Sequence, residues 1–182
     1  MKIVDDLIAW LRYREILPFL EPFPASVLDL GCNRADLRRV LESRGWRGTY
    51  VGVDVSPDSA ADVIHDLEKP LDLGRIFDAV VSLAVVEHLH DGRALFVSAA
   101  NHLDANGSFV LTTPTPPSKP VLDTLAALRI VNRAHILDHK HYWTRTELEE
   151  AGRAAGLRME HWHAFELGMN QVAVFRRARR ES

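Results

Sequence analysis

The residues best placed to do chemistry begin with Asp29. Val27-Leu28-Asp29-Leu30 is an apolar run that enters Gly31-Cys32-Asn33-Arg34-Ala35 and then a helical pattern. Strand, glycine turn and helix is the context of a nucleotide-binding loop, and Asp54, at the end of the apolar run from Tyr50 to Val55, can accept hydrogen bonds from both hydroxyls of a ribose. The loop chemistry argues against a pyrophosphate. Anions at a helix N-terminus need bare glycine backbone and a positive field, but Asn33 and Asp36 occupy the second and third glycine positions of the dinucleotide fingerprint. Acidic groups such as Asp29 suit a cationic nucleoside instead, one that carries a sulfonium and an ammonium.

A second set lies downstream. Phe77 to Leu89 reads as a strand that delivers Leu83, Ala84, Glu87 and His88 to its carboxyl end, where open α/β sheets bind ligands. A histidine near neutral pKa can take a proton from an acceptor hydroxyl, and a neighbouring carboxylate can fix its tautomer. His135, Asp138, His139, His141 and Tyr142 form a further polar cluster, from which His139 is expected to fold over the same end as a base or lid residue. Glu87, His88 and His139 are the candidate catalytic residues. Cys32, with no activating base in view, reads as a small apolar packer against the ligand.

These residues need elements to position them. Strand candidates are 27–30, 50–55, 63–64, 79–83 and 109–112, and between them Leu37, Val40 and Leu41, closed by Gly45, and Leu95, Phe96, Ala99 and Leu103 mark helices. Such alternation implies crossover helices on a doubly wound, mostly parallel sheet. An amphipathic helix with Val4, Leu7, Ile8 and Leu11 comes first and is expected to stop at Pro18, Pro22 and Pro24. A helix entered at Pro120 with Leu122, Leu125 and Leu128 follows the Pro-rich stretch, and Thr144 with Glu147 forms a capping box for the next. The stretches 157–165 and 171–175 are expected to close the chain as a hairpin.

Length and composition fit one domain over residues 1–182, with 1–24 as N-terminal helix and linker and 113–143 as an insertion that shapes the acceptor pocket. The charged residues Lys2, Asp5 and Asp6 interrupt the opening apolar positions, so no signal peptide is expected and the location is read as cytoplasmic. No apolar run approaches bilayer length, so no membrane insertion is expected. A single cysteine excludes an intrachain disulfide and a four-thiolate zinc site. Net charge is −3, and the only basic cluster, Arg176, Arg177, Arg179 and Arg180, reads as a solvated tail rather than a nucleic-acid stripe. Trp10, Tyr13, Trp143 and Arg129 suit a small or amphipathic acceptor, although the aromatics serve a core equally well.

The run Asp29 to Ala35, with Asp54 and the later segments, resembles the class I S-adenosylmethionine-dependent methyltransferases over nearly the whole chain. The resemblance implies a Rossmann-like seven-stranded sheet with an antiparallel C-terminal strand. It implies S-adenosylmethionine as cofactor, S-adenosylhomocysteine as product and a methyl acceptor that is a small molecule, glycan or lipid intermediate. It places Asp29 and Gly31 against the methionine portion, Asp54 on the ribose and Asp66 near the adenine amino group. Cys32, Asn33, Val55, Leu67 and Leu83 complete the expected cofactor-binding set. Asn33 and Ala35 stand where the family often has glycine. The stretches Val85 to Leu89 and Asp138 to Thr144 also resemble metal-dependent O-methyltransferases of ubiquinone and small-RNA pathways, which place a divalent ion beside the acceptor hydroxyl. Ala84 replaces one of their glutamates, so a metal is not favoured. RNA-directed methylation and a non-catalytic, cofactor-binding role are the alternatives.

Overall fold

A computed structural model describes residues 2–120 and 139–178. Seven strands, β1 (Ser26–Leu30), β2 (Thr49–Asp54), β3 (Val63–Ile64), β4 (Phe77–Leu83), β5 (Leu103–Pro114), β6 (Leu157–Phe165) and β7 (Asn170–Arg177), form one sheet in the order β3-β2-β1-β4-β5-β7-β6. β7 is antiparallel to both its neighbours, and the other pairings are parallel. The chain winds outward from β1 through β2 to β3, then returns to start β4 on the other side of β1. That reversal opens a crevice at the carboxyl ends of β1 and β4.

The strands are apolar because both faces are covered. Leu28, Leu30, Val80, Phe109, Leu111 and Phe175 pack beneath α3 (Arg93–His102) and α4 (Arg145–Ala154). Val27, Val81, Val110, Val172 and Val174 pack on the opposite face, against Ile16 at the end of α1 (Lys2–Ile16), Leu17 and Leu20 beyond it, and Leu37 and Leu41 of α2 (Asp36–Ser43). α4 opens with the expected capping box: Thr144 Oγ1 accepts from Glu147 N at 3.2 Å while Glu147 Oε2 accepts from Thr144 N at 2.7 Å.

α1 ends at Ile16, two residues before Pro18, and a short 3-10 turn over Leu17–Leu20, which tolerates Pro18 in its first turn where the missing N–H is not needed, leads on to Pro22 and Pro24. Two expectations are corrected. β5 is much longer than 109–112: Leu103 pairs with Phe77 and Ser108 with Ala79, so a bulge carries the polar Asp104-Ala105-Asn106-Gly107 stretch inside the strand. Arg176 and Arg177 are not a solvated tail. Arg176 donates to the carbonyls of Asn106 and Gly107 and pairs with Glu160, while Arg177 donates to the carbonyls of Ala100 and Leu103 at the end of α3. They satisfy backbone acceptors of the bulge and the helix terminus. The helix expected from Pro120 through Leu128, and Arg129, His135, Asp138, Arg179 and Arg180, lie outside the described residues. Among the described residues no helix is long and apolar enough to cross a membrane.

Candidate functional site

The loop after β1 is built from the backbone. Gly31 N and Cys32 N both donate to Val53 O, at 2.8 and 3.1 Å, which folds the loop back over the end of β2. Gly31 has φ 90, and a Cβ there would lie 2.2 Å from Val85 Cγ2, so only glycine fits. Asn33 (φ 47) and Ala35 (φ 52) also take left-handed backbone, the conformation for which glycine is the low-cost residue. Departure from glycine has therefore left the loop's geometry in place at some cost in strain. Asp54 closes the loop: its Oδ2 accepts from Asn33 N and its Oδ1 from Ser56 N, each at 2.9 Å. Each oxygen has a further lone pair for a ligand hydroxyl.

Asp29 is 3% exposed, and its Oδ2 accepts from Tyr50 Oη at 2.6 Å. Burial pushes its carboxyl up to about 7, opposed by the Tyr50 hydroxyl and reinforced by the charge of Asp54. No cation is among the groups that shift it. The site therefore favours a positively charged ligand group, which would restore the carboxylate. Tyr13, from α1, is raised to about 12, first by burial and then by the Asp29 charge. Cys32 is buried over Gly52, where a Cβ would meet its Sγ at 2.7 Å, and burial followed by the charges of Asp29 and Asp54 raises its thiol to about 12. That is a packing cysteine, not a nucleophile.

On the other side of the crevice, β4 ends at Leu83 and Ala84 turns with φ 54, leading to a 3-10 turn over Val86–His88. Glu87 is 1% exposed. Its Oε2 accepts from Thr113 Oγ1 of β5 at 3.0 Å, while its buried Oε1 has no hydrogen-bond partner. Burial raises its carboxyl, against lowering by His88 and Arg12. The last residues of the 113–143 stretch dock on this turn. Lys140 N and His141 N donate to Glu87 O at 2.7 and 3.2 Å, Trp143 Nε1 donates to Val86 O at 3.2 Å, and Gln171 Nε2 holds Trp143 O at 2.6 Å. Docking sets the His139 ring edge-on to His88 at 4.9 Å between centroids, with His139 Nδ1 and Tyr142 Oη 3.1 Å apart. Glu87, His88 and His139 can each offer a ligand atom within 4.8 Å of the others.

The structure thus brings together Asp29, Gly31, Cys32, Asn33 and Asp54 on one side and Glu87, His88 and His139 on the other, with Leu83 half-buried between. Val55 is 64% exposed beside Asp54, free to cover a flat ring. Asp66 is held locally: its Oδ1 accepts from Glu68 N, and Lys69 pairs with it at 3.2 Å. Leu67 turns into the core. Trp143, open between pocket and core in the sequence, is a core residue, whereas Trp10 is 56% exposed. Sequence reasoning missed Tyr50, which sits inside a strand candidate like any packing aromatic, and it placed Thr113 only as the start of the 113–143 stretch, without its bond to Glu87.

Residues 7–161 match the model of a methyltransferase domain family. No curated protein matches the chain in sequence. Among solved structures, a Pyrococcus horikoshii protein superposes with TM-score 0.70 at 16% identity, covering 93% of this chain and 91% of its own. An S-adenosylmethionine-dependent methyltransferase from Mesorhizobium loti gives TM-score 0.63 at 20% identity, covering 84% and 90%. The CcbJ methyltransferase of Streptomyces caelestis gives 0.64 at 17%, covering 91% and 89%.

Proposed function

Because the chain belongs to the class I S-adenosylmethionine-dependent methyltransferases, we propose that it transfers the methyl group of S-adenosylmethionine to a hydroxyl of a small molecule, glycan or lipid intermediate. The observation that carries this reading is the buried Glu87 beside His88 and His139, across the crevice from the Asp29–Asp54 loop. Asp54 would hold the ribose hydroxyls and Asp29 the methionine ammonium, and the bound cofactor would supply a methyl group on a positively charged sulfur that leaves as a neutral thioether. Residues at the carboxyl end of β4 would align the acceptor hydroxyl, whose proton would pass to His88 or His139 as the methyl is transferred. Alignment supplies most of the acceleration, since the sulfonium is already an activated leaving group.

The cluster of Glu87, His88 and His139 supports a second form of the same reading, in which these residues hold a divalent ion. One buried carboxylate oxygen without a partner and two imidazoles fit a nitrogen-preferring ion better than Mg²⁺. Such an ion would lower the pKa of the acceptor hydroxyl. Calorimetry of S-adenosylhomocysteine with the wild type and Asp54→Ala tests the cofactor site: saturable binding lost in the variant is expected. Folded wild type that fails to bind overturns the methyltransferase reading. Hydroxylated acceptors screened with and without added Zn²⁺, Co²⁺ and Mn²⁺ then separate the two forms.

A further inference from the structure

Buried side-chain atoms that lack a hydrogen-bond partner gather at one end of the sheet. They include Arg12 Nε, Glu87 Oε1, Thr112 Oγ1 and Glu166 Oε1, on residues at or over the carboxyl ends of β4, β5 and β6. The Arg12 charge lowers the carboxyls of both Glu87 and Glu166, so the guanidinium stands within electrostatic reach of each. Burial is the larger influence on both carboxyls and raises them. A buried polar atom without a protein partner is costly, and a ligand that supplies the missing hydrogen bond is one reason for a folded chain to retain it.

Glu166 is held there by its surroundings. It opens the β6–β7 turn with φ 51, and Leu167 follows with φ 56, two successive left-handed residues without glycine. Asn170 Nδ2 donates to Glu166 Oε2, which leaves Oε1 open. The turn is tied to the segment after β5: Thr115 N donates to Met169 O at 3.0 Å and Thr115 Oγ1 to Gly168 O at 2.5 Å. That segment follows Thr113, the partner of Glu87, so one connection carries both carboxylates toward the acceptor side.

We propose that Glu166, with Arg12 and Glu87, forms the acceptor subsite, and that the acceptor is a neutral or cationic polyol or amino polyol. It donates O–H or N–H groups to the two open carboxylate oxygens and accepts from Arg12 Nε. Two carboxylates within electrostatic reach of a single guanidinium disfavour a carboxylate- or phosphate-bearing acceptor. The proposal rests on the methyltransferase reading, because it places the subsite beside the bound cofactor.

Three sugars of one ring size and different charge serve as probes: methyl glucoside, glucosamine and glucuronate. Saturation-transfer NMR is run on protein saturated with S-adenosylhomocysteine. The neutral and cationic sugars are expected to bind and glucuronate to bind at least about fivefold more weakly, in line with the charge pattern. Glu166→Ala is expected to abolish binding of both, with its melting temperature and S-adenosylhomocysteine affinity kept. Glu166→Gln, which retains an acceptor oxygen but no charge, is expected to restore methyl glucoside binding and to weaken the discrimination against glucuronate. Equal binding of glucuronate, no binding of any sugar, or unchanged binding by a folded Glu166→Ala protein overturns the proposal. Failure of S-adenosylhomocysteine to bind is a separate result, which removes the methyltransferase reading itself.

Discussion

Replacing Asp29 with asparagine should change how stability depends on pH more than it changes stability itself. The carboxyl is raised from the ordinary value of 3.8 to about 7 in the folded protein. Between those values the folded state binds a proton that the unfolded state has lost, so wild-type stability falls as pH rises. The group's favourable contribution is complete below about pH 4 and gone above about pH 7, a total of about 4 kcal/mol at 1.36 kcal/mol per pKa unit. The substituted asparagine keeps an oxygen for Tyr50 Oη and does not titrate. Its extra amide N–H groups cost about 1–3 kcal/mol in a buried site, but that cost is the same at every pH. The test is therefore the slope. Urea unfolding of apo protein from about pH 4.5 to about pH 7.5 should show the wild type losing ground to Asp29→Asn by roughly 1.4 kcal/mol per unit. Cofactor binding should run the other way: as Asp29 ionises between about pH 6 and pH 8, wild-type affinity for S-adenosylhomocysteine should rise about tenfold, and the variant's should not. Parallel unfolding profiles, within about 0.5 kcal/mol of each other, would refute the assignment of a raised Asp29.

Gly31→Ala combines left-handed backbone with a contact at 2.2 Å from Val85, so a loss of about 2–5 kcal/mol is expected in denaturant titrations. Val85→Ala in the same chain should recover part of it, and no recovery would show that the contact is not the cause. Glu87→Gln should fold, become more stable than the wild type as pH rises, because burial raises the wild-type carboxyl, and bind S-adenosylhomocysteine normally. Its methyl transfer should fall by about a hundredfold or more, and retained turnover would exclude the charge from the chemistry. Thr144→Ala removes the capping box of α4 and should cost about 1 kcal/mol in urea without affecting cofactor affinity.

What could be read in the sequence was what local physics decides. Val27 to Leu30 and Ala79 to Leu83 are apolar because they lie between two helical layers, and Thr144 and Glu147 cap a helix whatever surrounds it. Asp29, Gly31 and Asp54 were legible because a strand end, a tight turn and a second strand end fix their relation before any long-range packing does. The bulged β5 was not legible: Asp104 to Gly107 has turn composition, and the pairing of Leu103 with Phe77 and the carbonyls held by Arg176 keep it in the sheet. Glu166 was invisible for a related reason. Its place near the end of β5, within reach of the Arg12 charge, comes from a hairpin closing against an N-terminal helix, where His163 meets Glu15, and no spacing rule connects residues 12, 87 and 166.

Strain and unsatisfied polarity occur together in this fold. The described non-glycine residues with positive φ are Asn33, Ala35, Ala84, Glu166 and Leu167, and all lie beyond the carboxyl ends of β1, β4 and β6. The orphaned Glu87 Oε1, Thr112 Oγ1 and Glu166 Oε1, and the raised carboxyl of Asp29, occupy the same end. Each buried carboxyl lowers the stability of the free protein by an amount that a ligand can return, by supplying a cation to Asp29 or donors to Glu87 and Glu166. The opposite end shows the reverse pattern, with Ser26 and Asp78 exchanging hydrogen bonds and Trp46 Nε1 donating to Pro24 O. Cofactor and acceptor should therefore stabilise the chain through one end of one sheet. Binding of S-adenosylhomocysteine at about a hundred times its dissociation constant should add about 2.7 kcal/mol to unfolding, with the new hydrogen-exchange protection concentrated at residues 29–35, 54–56 and 84–88.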